Sequence, residues 1–382
     1  MKKIALISVW NHNYGSLLQT YALQTFLNSY NMGNEIILYR DKGFFRRIIR
    51  FTNLSYLVAK FKVIFRNCFV KLFYLKIKKN IDTRSTKFEE FKNTNLYFSK
   101  PVIGRNRLYQ YIKGYRATVL GSDQVLHPAN LLMDYFTLNF VPKDIKKIAY
   151  APSFGVSDIP FYQLKRTKSY LNRFDYLSVR EVSGQKIIKK LINKDVAVVC
   201  DPTLLIEKKI WDKLKGSNRI IPDQYIFCYY LGDNRLHRDF ANRLKKTTGL
   251  KIVALQHLDE FVKKDLVFGD LKPFDIGPAE FVNLLSNAEY VLTDSFHATI
   301  FSLIYNKIFF TFNRYITIKE TRSTNSRISS LLGQLNLLDR KLIGNENISD
   351  CLQKTINYII VETKIKKIKE LSAKYLLDAL RQ

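Results

Sequence analysis

A chain of 382 residues in which 47% are apolar, with only 15 Gly and 9 Pro, is too long for one ordinary domain and too apolar to be disordered. Its 62 Lys and Arg against 33 Asp and Glu leave a net charge of +29, which suits polyanionic partners (nucleic acid, anionic lipid, acidic glycan carriers) and is also what Lys-rich coding yields with no special partner. No run of about 20 apolar residues is present to span a bilayer, and the widely spaced Cys68, Cys200, Cys228 and Cys351 form no CxxC pair, which argues against a disulfide framework and fits a reduced, cytosolic protein.

The opening run MKKIALISVW holds about seven apolar residues before Asn11-His12-Asn13 and lacks a small-residue cleavage site, so residues 4–10 read as a buried strand rather than a leader. A polar loop over 11–16 comes next. Then comes LLQTYALQTFLNSY, with apolar residues at 17, 18, 22, 23, 26 and 27 on one helical face, and a strand over 34–39. This β–loop–α–β opening is the start of a doubly wound sheet.

Residues 42–80 differ from the rest: eleven Lys or Arg, no Asp or Glu, and Phe, Ile, Leu, Val and Tyr interleaved throughout. That spacing is expected of an amphipathic surface lying on an anionic membrane. The plainer alternative is a core-covering face whose basic stems reach into water. The segment has neither helix–turn–helix nor zinc-finger spacing, so lipid is favoured over nucleic acid.

The alternation then resumes. A strand over 117–120 ends in Gly121-Ser122-Asp123-Gln124, one over 147–151 in Pro152-Ser153-Phe154-Gly155, one over 176–179 in Arg180-Glu181, and one over 196–200 in Asp201-Pro202-Thr203. Polar or small residues thus stand repeatedly just past a strand's carboxyl end, the edge where open α/β sheets bind ligands. Residues 211–223 are polar and lack a strong period, which makes them the expected linker. A second alternating unit starts at Tyr225 and runs through a helix at 235–247, a strand at 251–255 and a helix at 279–287. Residues 289–312 then read as strand, turn with Asp294, Ser295 and His297, apolar helix, and strand; such a strand–helix junction is a ready anion site. A helix over 325–335 carries Arg327, and 348–380 is a helical tail.

Taken together and in order, these motifs resemble the polysaccharide pyruvyl transferase family, in the branch with NYG-x-LLQ-x-YALQ near the start and DSFH-[GA]-T near the end. The residues are NYGSLLQTYALQ at 13–24, GSDQV at 121–125, SFG at 153–155, SVRE at 178–181, DPTLL at 201–205, TDSFHAT at 293–299 and NSRI at 325–328, so the resemblance spans about residues 4–340. It implies an α/β, GT-B-like fold of two Rossmann-like domains facing a cleft. Residues 1–210 would form the acceptor side, with 42–80 as a membrane-facing insertion; 211–345 would form the donor side, and helices in 346–382 would pack back on both. The resemblance implies transfer of a pyruvyl group from phosphoenolpyruvate to two hydroxyls of a glycan or lipid-linked saccharide, in capsule, exopolysaccharide or cell-wall glycan synthesis. The products would be a cyclic pyruvate ketal and inorganic phosphate. The enzyme is expected in the cytoplasm, peripheral to the inner face of the cell membrane, with no cofactor, no metal and no nucleic acid; the sequence sets no oligomeric state. A GT-B glycosyltransferase using a nucleotide-activated sugar on a lipid-linked acceptor is the alternative on the same fold. A non-catalytic basic binding protein is the alternative outside it.

Phosphoenolpyruvate carries a carboxylate and a phosphate, so its site needs cations and helix-end N–H groups. His297, Arg180 and Arg327, with Ser295 and Phe296, form the expected donor site. Ketal formation needs an acid for the methylene carbon and a base for the sugar hydroxyls. His297 is the expected acid or phosphate ligand, Asp123 the expected base or hydroxyl holder, and Arg180 the third catalytic residue. Asn13, Tyr14, Gln19, Asp123 and Gln124 are expected to shape the acceptor side, while Asp294 either orients His297 or caps its helix. Two departures from the family pattern bear on this. Other branches carry D-R-L-H where this chain has Asp294-Ser295-Phe296-His297, so an Arg thought to grip phosphoenolpyruvate is missing, and Arg327 is its expected replacement. Where other branches carry N-x-G-D the last position here is Ser16, which leaves that loop without a carboxylate; Ala298 also stands where Gly is usual.

Overall fold

The computed structural model describes residues 2–10, 12–41, 75–256, 262–314 and 326–381. The basic stretch 42–80 lies outside them except for 75–80, and so do Asn11, Cys68, His257 and Asn325.

Short apolar runs form most of the strands, and the central ones are buried on both faces, as parallel strands under helices must be. β1 (Ile4–Ile7) leads through α1 (Tyr14–Ser29) to β2 (Asn34–Ile36) and β3 (Tyr39–Arg40). α2 (Leu75–Asn95) precedes β4 (Val102–Ile103), which pairs with β3. Then come α3 (Arg105–Ile112), β5 (Ala117–Leu120), β6 (Lys146–Ala149), α4 (Leu164–Leu171), β7 (Tyr176–Val179), α5 (Val182–Ile192) and β8 (Ala197–Val198). α6 (Pro202–Leu205) and α7 (Lys208–Lys215) lead over to β9 (Tyr225–Tyr229), α8 (Arg235–Thr248) and β10 (Lys251–Ala254). α9 (Pro278–Asn287), β11 (Tyr290–Thr293), α10 (Phe296–Ile304), β12 (Ile308–Phe312), α11 (Ser326–Leu335) and β13 (Lys341–Leu342) come next, then α12 (Ile348–Gln353) and α13 (Tyr358–Arg381).

Two parallel sheets result, in the orders β2-β1-β5-β6-β7-β8 and β10-β9-β11-β12-β13. In each, the chain first winds to one side of its opening strand and then crosses to the other. The strand order therefore reverses between β1 and β5, paired in the register Leu6↔Val119, and between β9 and β11, paired as Phe227↔Val291. The crevice outside the carboxyl ends at such a reversal is where an open α/β sheet takes its ligand. Four loops stand there: 8–13 and 121–124 on the first sheet, 230–234 and 294–295 on the second.

Contacts between the halves hold the two crevices face to face. α1 is buried nearly all round: Tyr14 stacks on Phe281 of α9 at 4.7 Å and donates its hydroxyl to Ile276 O at 2.7 Å. Phe281 also meets Tyr229 edge-on, and truncating such an aromatic to Ala costs about 3–5 kcal/mol. From α2, the Arg84 guanidinium donates to the carbonyls of Gln256, Pro273 and Phe274. α13 returns to the first sheet, where Ser372 Oγ accepts from Cys200 N and Arg116 donates to Leu380 O. No helix among the described residues is long and apolar enough to cross a membrane.

One expectation needs correction. Residues 211–223, expected as a polar linker, are helical as far as Lys215, and Trp211 is fully buried with its Nε1 donating to Thr203 O at 3.2 Å. The short α7 fully buries one residue, Trp211, against Phe301 of α10 and Tyr21 of α1, which is too little to register as a period. The 348–380 tail is helical as expected, forming α12 and α13 with 354–357 off the helical path between them.

Candidate active site

The two strand-order reversals open onto one cavity of about 620 Å³. The first sheet contributes Trp10, Asn13, Asp123 and Gln124 to its wall; the second contributes Ser295, Phe296, His297 and Arg314, and Arg327 comes from the first turn of α11. Asn13 caps α1 by accepting from Ser16 N at 3.3 Å, and Ser295 caps α10 by accepting from Ala298 N at 3.4 Å. The N-terminal ends of both helices therefore meet at the cavity and add positive potential to it.

Gly15 lets the halves touch. A Cβ at this position would stand 2.0 Å from His297 Nδ1 and 2.5 Å from its Cγ, so bare backbone is what allows the imidazole of the second half to lie on the first turn of α1. His297 is 7% exposed, and its Nε2 lies 3.5 Å from Asp201 Oδ2 without a hydrogen bond.

Asp201 ties several of these groups together. Its Oδ2 accepts from Arg180 Nη1 at 2.6 Å and from Ser122 Oγ at 2.9 Å, while Oδ1 accepts from Thr203 N at 3.1 Å and Thr203 Oγ1 at 2.7 Å. Burial works to raise the Asp201 pKa, but His297 and Arg180 outweigh it and hold the carboxyl well below the usual range. Asp123 sits at φ 72, a left-handed conformation that Asp tolerates. It accepts from Ser16 Oγ at 2.6 Å and faces Arg180 Nη2 at 3.6 Å and Arg327 Nη1 at 4.0 Å. Burial again opposes ionisation, and Arg180, His297 and Arg327 override it, so Asp123 is also held low.

Phe296 lies against two guanidiniums, that of Arg180 at 4.3 Å and that of Arg327 at 5.7 Å from the ring centroid. The Gln124 amide, with its oxygen toward Arg327, accepts from Nη1 at 2.9 Å and Nη2 at 2.6 Å. Burial, and then the like charge of Arg180, push Arg327 down to about 9. Its charge is held against the cost of burial.

The expected donor residues are thus only partly together. His297, Arg327, Ser295 and Phe296 line the cavity. Arg180 does not: its side chain is 1% exposed, against Phe296 and fastened to Asp201. The Ser295 oxygen serves the α10 cap. On the acceptor side Asn13, Asp123 and Gln124 line the cavity, whereas Tyr14 and Gln19 do not. Tyr14 is packed on Phe281, and the buried Gln19 amide donates to Ser8 Oγ, Val9 O and Ser16 O, bracing the loop after β1. Asp294 neither orients His297 nor caps α10. Its oxygens accept from Leu231 N at 2.7 Å and Gly232 N at 2.9 Å, joining the two loops at the second reversal.

Sequence reasoning did not single out Asp201, Arg314, Trp10 or Phe136 as site residues. Asp201 and Trp10 do carry a signal, because each stands within three residues of the carboxyl end of a strand. Arg314 stands two residues beyond β12 and carries the same signal more weakly. Phe136 lies in the long connection between β5 and β6, where nothing in the sequence marks it.

A family model described as polysaccharide pyruvyl transferase matches residues 13–314, from the α1 cap to Arg314 of the cavity wall. No curated protein matches the chain. Among solved structures, the UDP-GlcNAc 2-epimerase from Neisseria meningitidis bound to UDP-GlcNAc is similar with a TM-score of 0.52 at 11% identity, covering 100% of this chain and 99% of that one. The UDP-GlcNAc 2-epimerase from Methanocaldococcus jannaschii, in complex with UDP-GlcNAc and UDP, gives a TM-score of 0.50 at 13% identity with the same coverage, 100% and 99%. At these identities the likeness concerns the fold, and that fold is GT-B.

Proposed function

The chain belongs to the polysaccharide pyruvyl transferase family, and from that premise we propose that it transfers a pyruvyl group from phosphoenolpyruvate to two hydroxyls of a glycan or lipid-linked saccharide. The observation that carries this reading is the convergence of Arg314, Arg327, His297 and two helix N-termini on one cavity, a set of donors suited to an anion with both a carboxylate and a phosphate. Arg327 takes the part of the Arg absent from the DSFH turn, and Arg314 joins it. Arg180 acts from behind the wall, by fixing Asp201 and the ring of Phe296.

In the proposed reaction the methylene carbon takes a proton and becomes a methyl group. His297 supplies that proton, with Asp201 Oδ2 3.5 Å from its Nε2. The oxocarbenium-like carbon accepts one sugar hydroxyl, its bond to the phosphate oxygen breaks, and a second hydroxyl closes the ketal. Of the two hydroxyl protons, one replaces the proton spent on the methyl group and the other leaves with phosphate. Asp123 stands at the junction of the two halves and receives them, with Ser16 Oγ as its hydrogen-bonded neighbour. The cavity cations stabilise the leaving phosphate.

Titration calorimetry with phosphoenolpyruvate tests the donor. Saturable binding that is weakened in Arg327→Gln and Arg314→Gln is expected, with phosphate released when a suitable saccharide is added. A protein that ignores phosphoenolpyruvate but is thermally stabilised by nucleotide sugars is a glycosyltransferase instead. The acceptor would be lipid-linked and held near an anionic membrane by the basic segment 42–80, with the enzyme on the cytoplasmic face.

A further inference from the structure

We propose that the part of the cavity wall built from Trp10, Phe136 and Tyr135 is the saccharide subsite, and that it takes a pyranose ring stacked by its C–H face on Trp10 and Phe136. This rests on the pyruvyl-transfer reading for its place beside the donor, but its binding chemistry stands alone.

The cavity of about 620 Å³ is lined by two chemistries. The second half and α11 contribute Arg314, His297 and Arg327, which suit an anion. The first half contributes Val9, Trp10, Tyr135 and Phe136, with Asn13 and Asn130 as the nearby amides. A compact anion has no use for aromatic rings. A sugar does, because a pyranose presents an apolar C–H face and a girdle of hydroxyls, and binding pockets combine large apolar walls with a few placed polar groups.

Trp10 and Phe136 are half-buried, unlike the aromatic residues of the core, and both border the cavity. Their surroundings hold them still. Phe98 meets Trp10 edge-on at 5.5 Å, and Lys92 Nζ lies 5.3 Å from the indole centroid. Tyr135 stacks with both Tyr39 at 5.2 Å and Phe140 at 5.7 Å, donates its hydroxyl to Ile37 O at 2.7 Å, and supports Phe136 edge-on at 5.3 Å. A wall fixed before the ligand arrives loses little entropy on binding. Asn130 Nδ2 donates to the Gln124 backbone carbonyl at 2.9 Å, and the same residue's side-chain amide holds Arg327. A ring stacked here would turn its hydroxyls toward Asp123, the side from which the donor is addressed.

The chain has two tryptophans, and the second, Trp211, is fully buried, so Trp10 reports on the cavity. The probes are methyl pyranosides of gluco, galacto and manno configuration and their 2-acetamido forms, titrated against intrinsic fluorescence, with phosphoenolpyruvate affinity measured separately by calorimetry. At least one pyranoside should change Trp10 emission saturably, and the change should vanish in Trp10→Phe. Phe136→Ala should weaken that binding about tenfold, the effect of losing one stacked aromatic face. Phosphoenolpyruvate affinity should stay at the wild-type value in both variants, which also shows that they are folded. A panel with no effect on Trp10, or equal saccharide affinity in Phe136→Ala, overturns the subsite while leaving the donor reading intact. Saccharide binding at Trp10 in a protein that fails to bind phosphoenolpyruvate supports the subsite and removes the donor reading.

Discussion

Gly15→Ala isolates the contact between the two halves. The added Cβ would meet His297 Nδ1 at 2.0 Å, Cγ at 2.5 Å and Cε1 at 2.7 Å. Heavy atoms rest at about 3.5–4.0 Å, so the ring must retreat by roughly 1.5 Å. Its room is limited, since His297 is 7% exposed and flanked by Phe296 at 5.4 Å and by Asp201. A misplacement of about 1 Å costs a catalytic group roughly 10²-fold, about 2.7 kcal/mol of transition-state stabilisation. Global stability should fall by no more than about 2 kcal/mol, because Ala in a helix gains up to about 1 kcal/mol over Gly while overpacking costs about 1–3 kcal/mol. The expected result is a protein that still unfolds cooperatively in urea, with phosphate release from phosphoenolpyruvate and acceptor reduced about a hundredfold. Wild-type turnover in a folded Gly15→Ala protein would refute the reasoning, since the imidazole would then have moved without consequence for the chemistry.

Asp201→Asn keeps the side chain's shape but leaves the buried Arg180 without its 2.6 Å partner, so unfolding free energy should fall by about 3–5 kcal/mol and turnover with it; an unchanged urea midpoint would count against this account. Glu181 is buried, with Oε1 accepting from Ser153 Oγ and Phe154 N and Oε2 unpartnered; burial raises its pKa despite Arg180 and Arg327. The unfolded chain therefore ionises first as pH rises, and the fold loses stability between the ordinary carboxylate range and the raised folded value. Glu181→Gln lacks that loss, so its thermal midpoint should exceed wild type at neutral pH and converge with it below the ordinary range; a pH-independent difference would contradict the burial argument. Replacing the Lys and Arg of 42–79 by Gln should release the protein from anionic vesicles in a sedimentation assay, and undiminished co-sedimentation would make that segment an ordinary solvated face.

The strand-end motifs made the sheets and the cavity legible, because a buried parallel strand is a short apolar run and the residues just past its carboxyl end stand at the ligand edge. Legibility failed where one residue type serves two purposes. Gln19 and Tyr14 stand close after the loop that leaves β1 and look like cavity residues, yet α1 lies between both sheets and is buried on nearly every face. Helical periodicity then says little about which polar group points to solvent, and Gln19 is an internal brace. Arg180 likewise stands just past β7, but a carboxylate from the next strand end captures it. That pairing joins residues 21 apart in sequence across adjacent strands and no spacing rule announces it. Residues such as Trp10 and Phe136 escape notice because an aromatic beside a strand or in a long connection reads first as core.

The arrangement of charge explains why the halves must meet for the site to exist. Asp123 and Asp201 belong to the first half, and each is held low in pKa by cations that include His297 of the second. Taken alone, the first half would present three carboxyl groups, Asp123, Asp201 and Glu181, beside Arg180, a poor place for an anion. Closure brings His297 over Gly15, Arg327 onto Gln124, and Arg314 to the cavity. These cations come together where the α1 and α10 N-termini converge and add positive potential. An anion entering the cavity would repay part of the desolvation that pushes Arg327 down to about 9. Donor binding and closure of the two halves are therefore expected to favour one another. Gly15 is the position at which that coupling can be cut without removing a charged side chain.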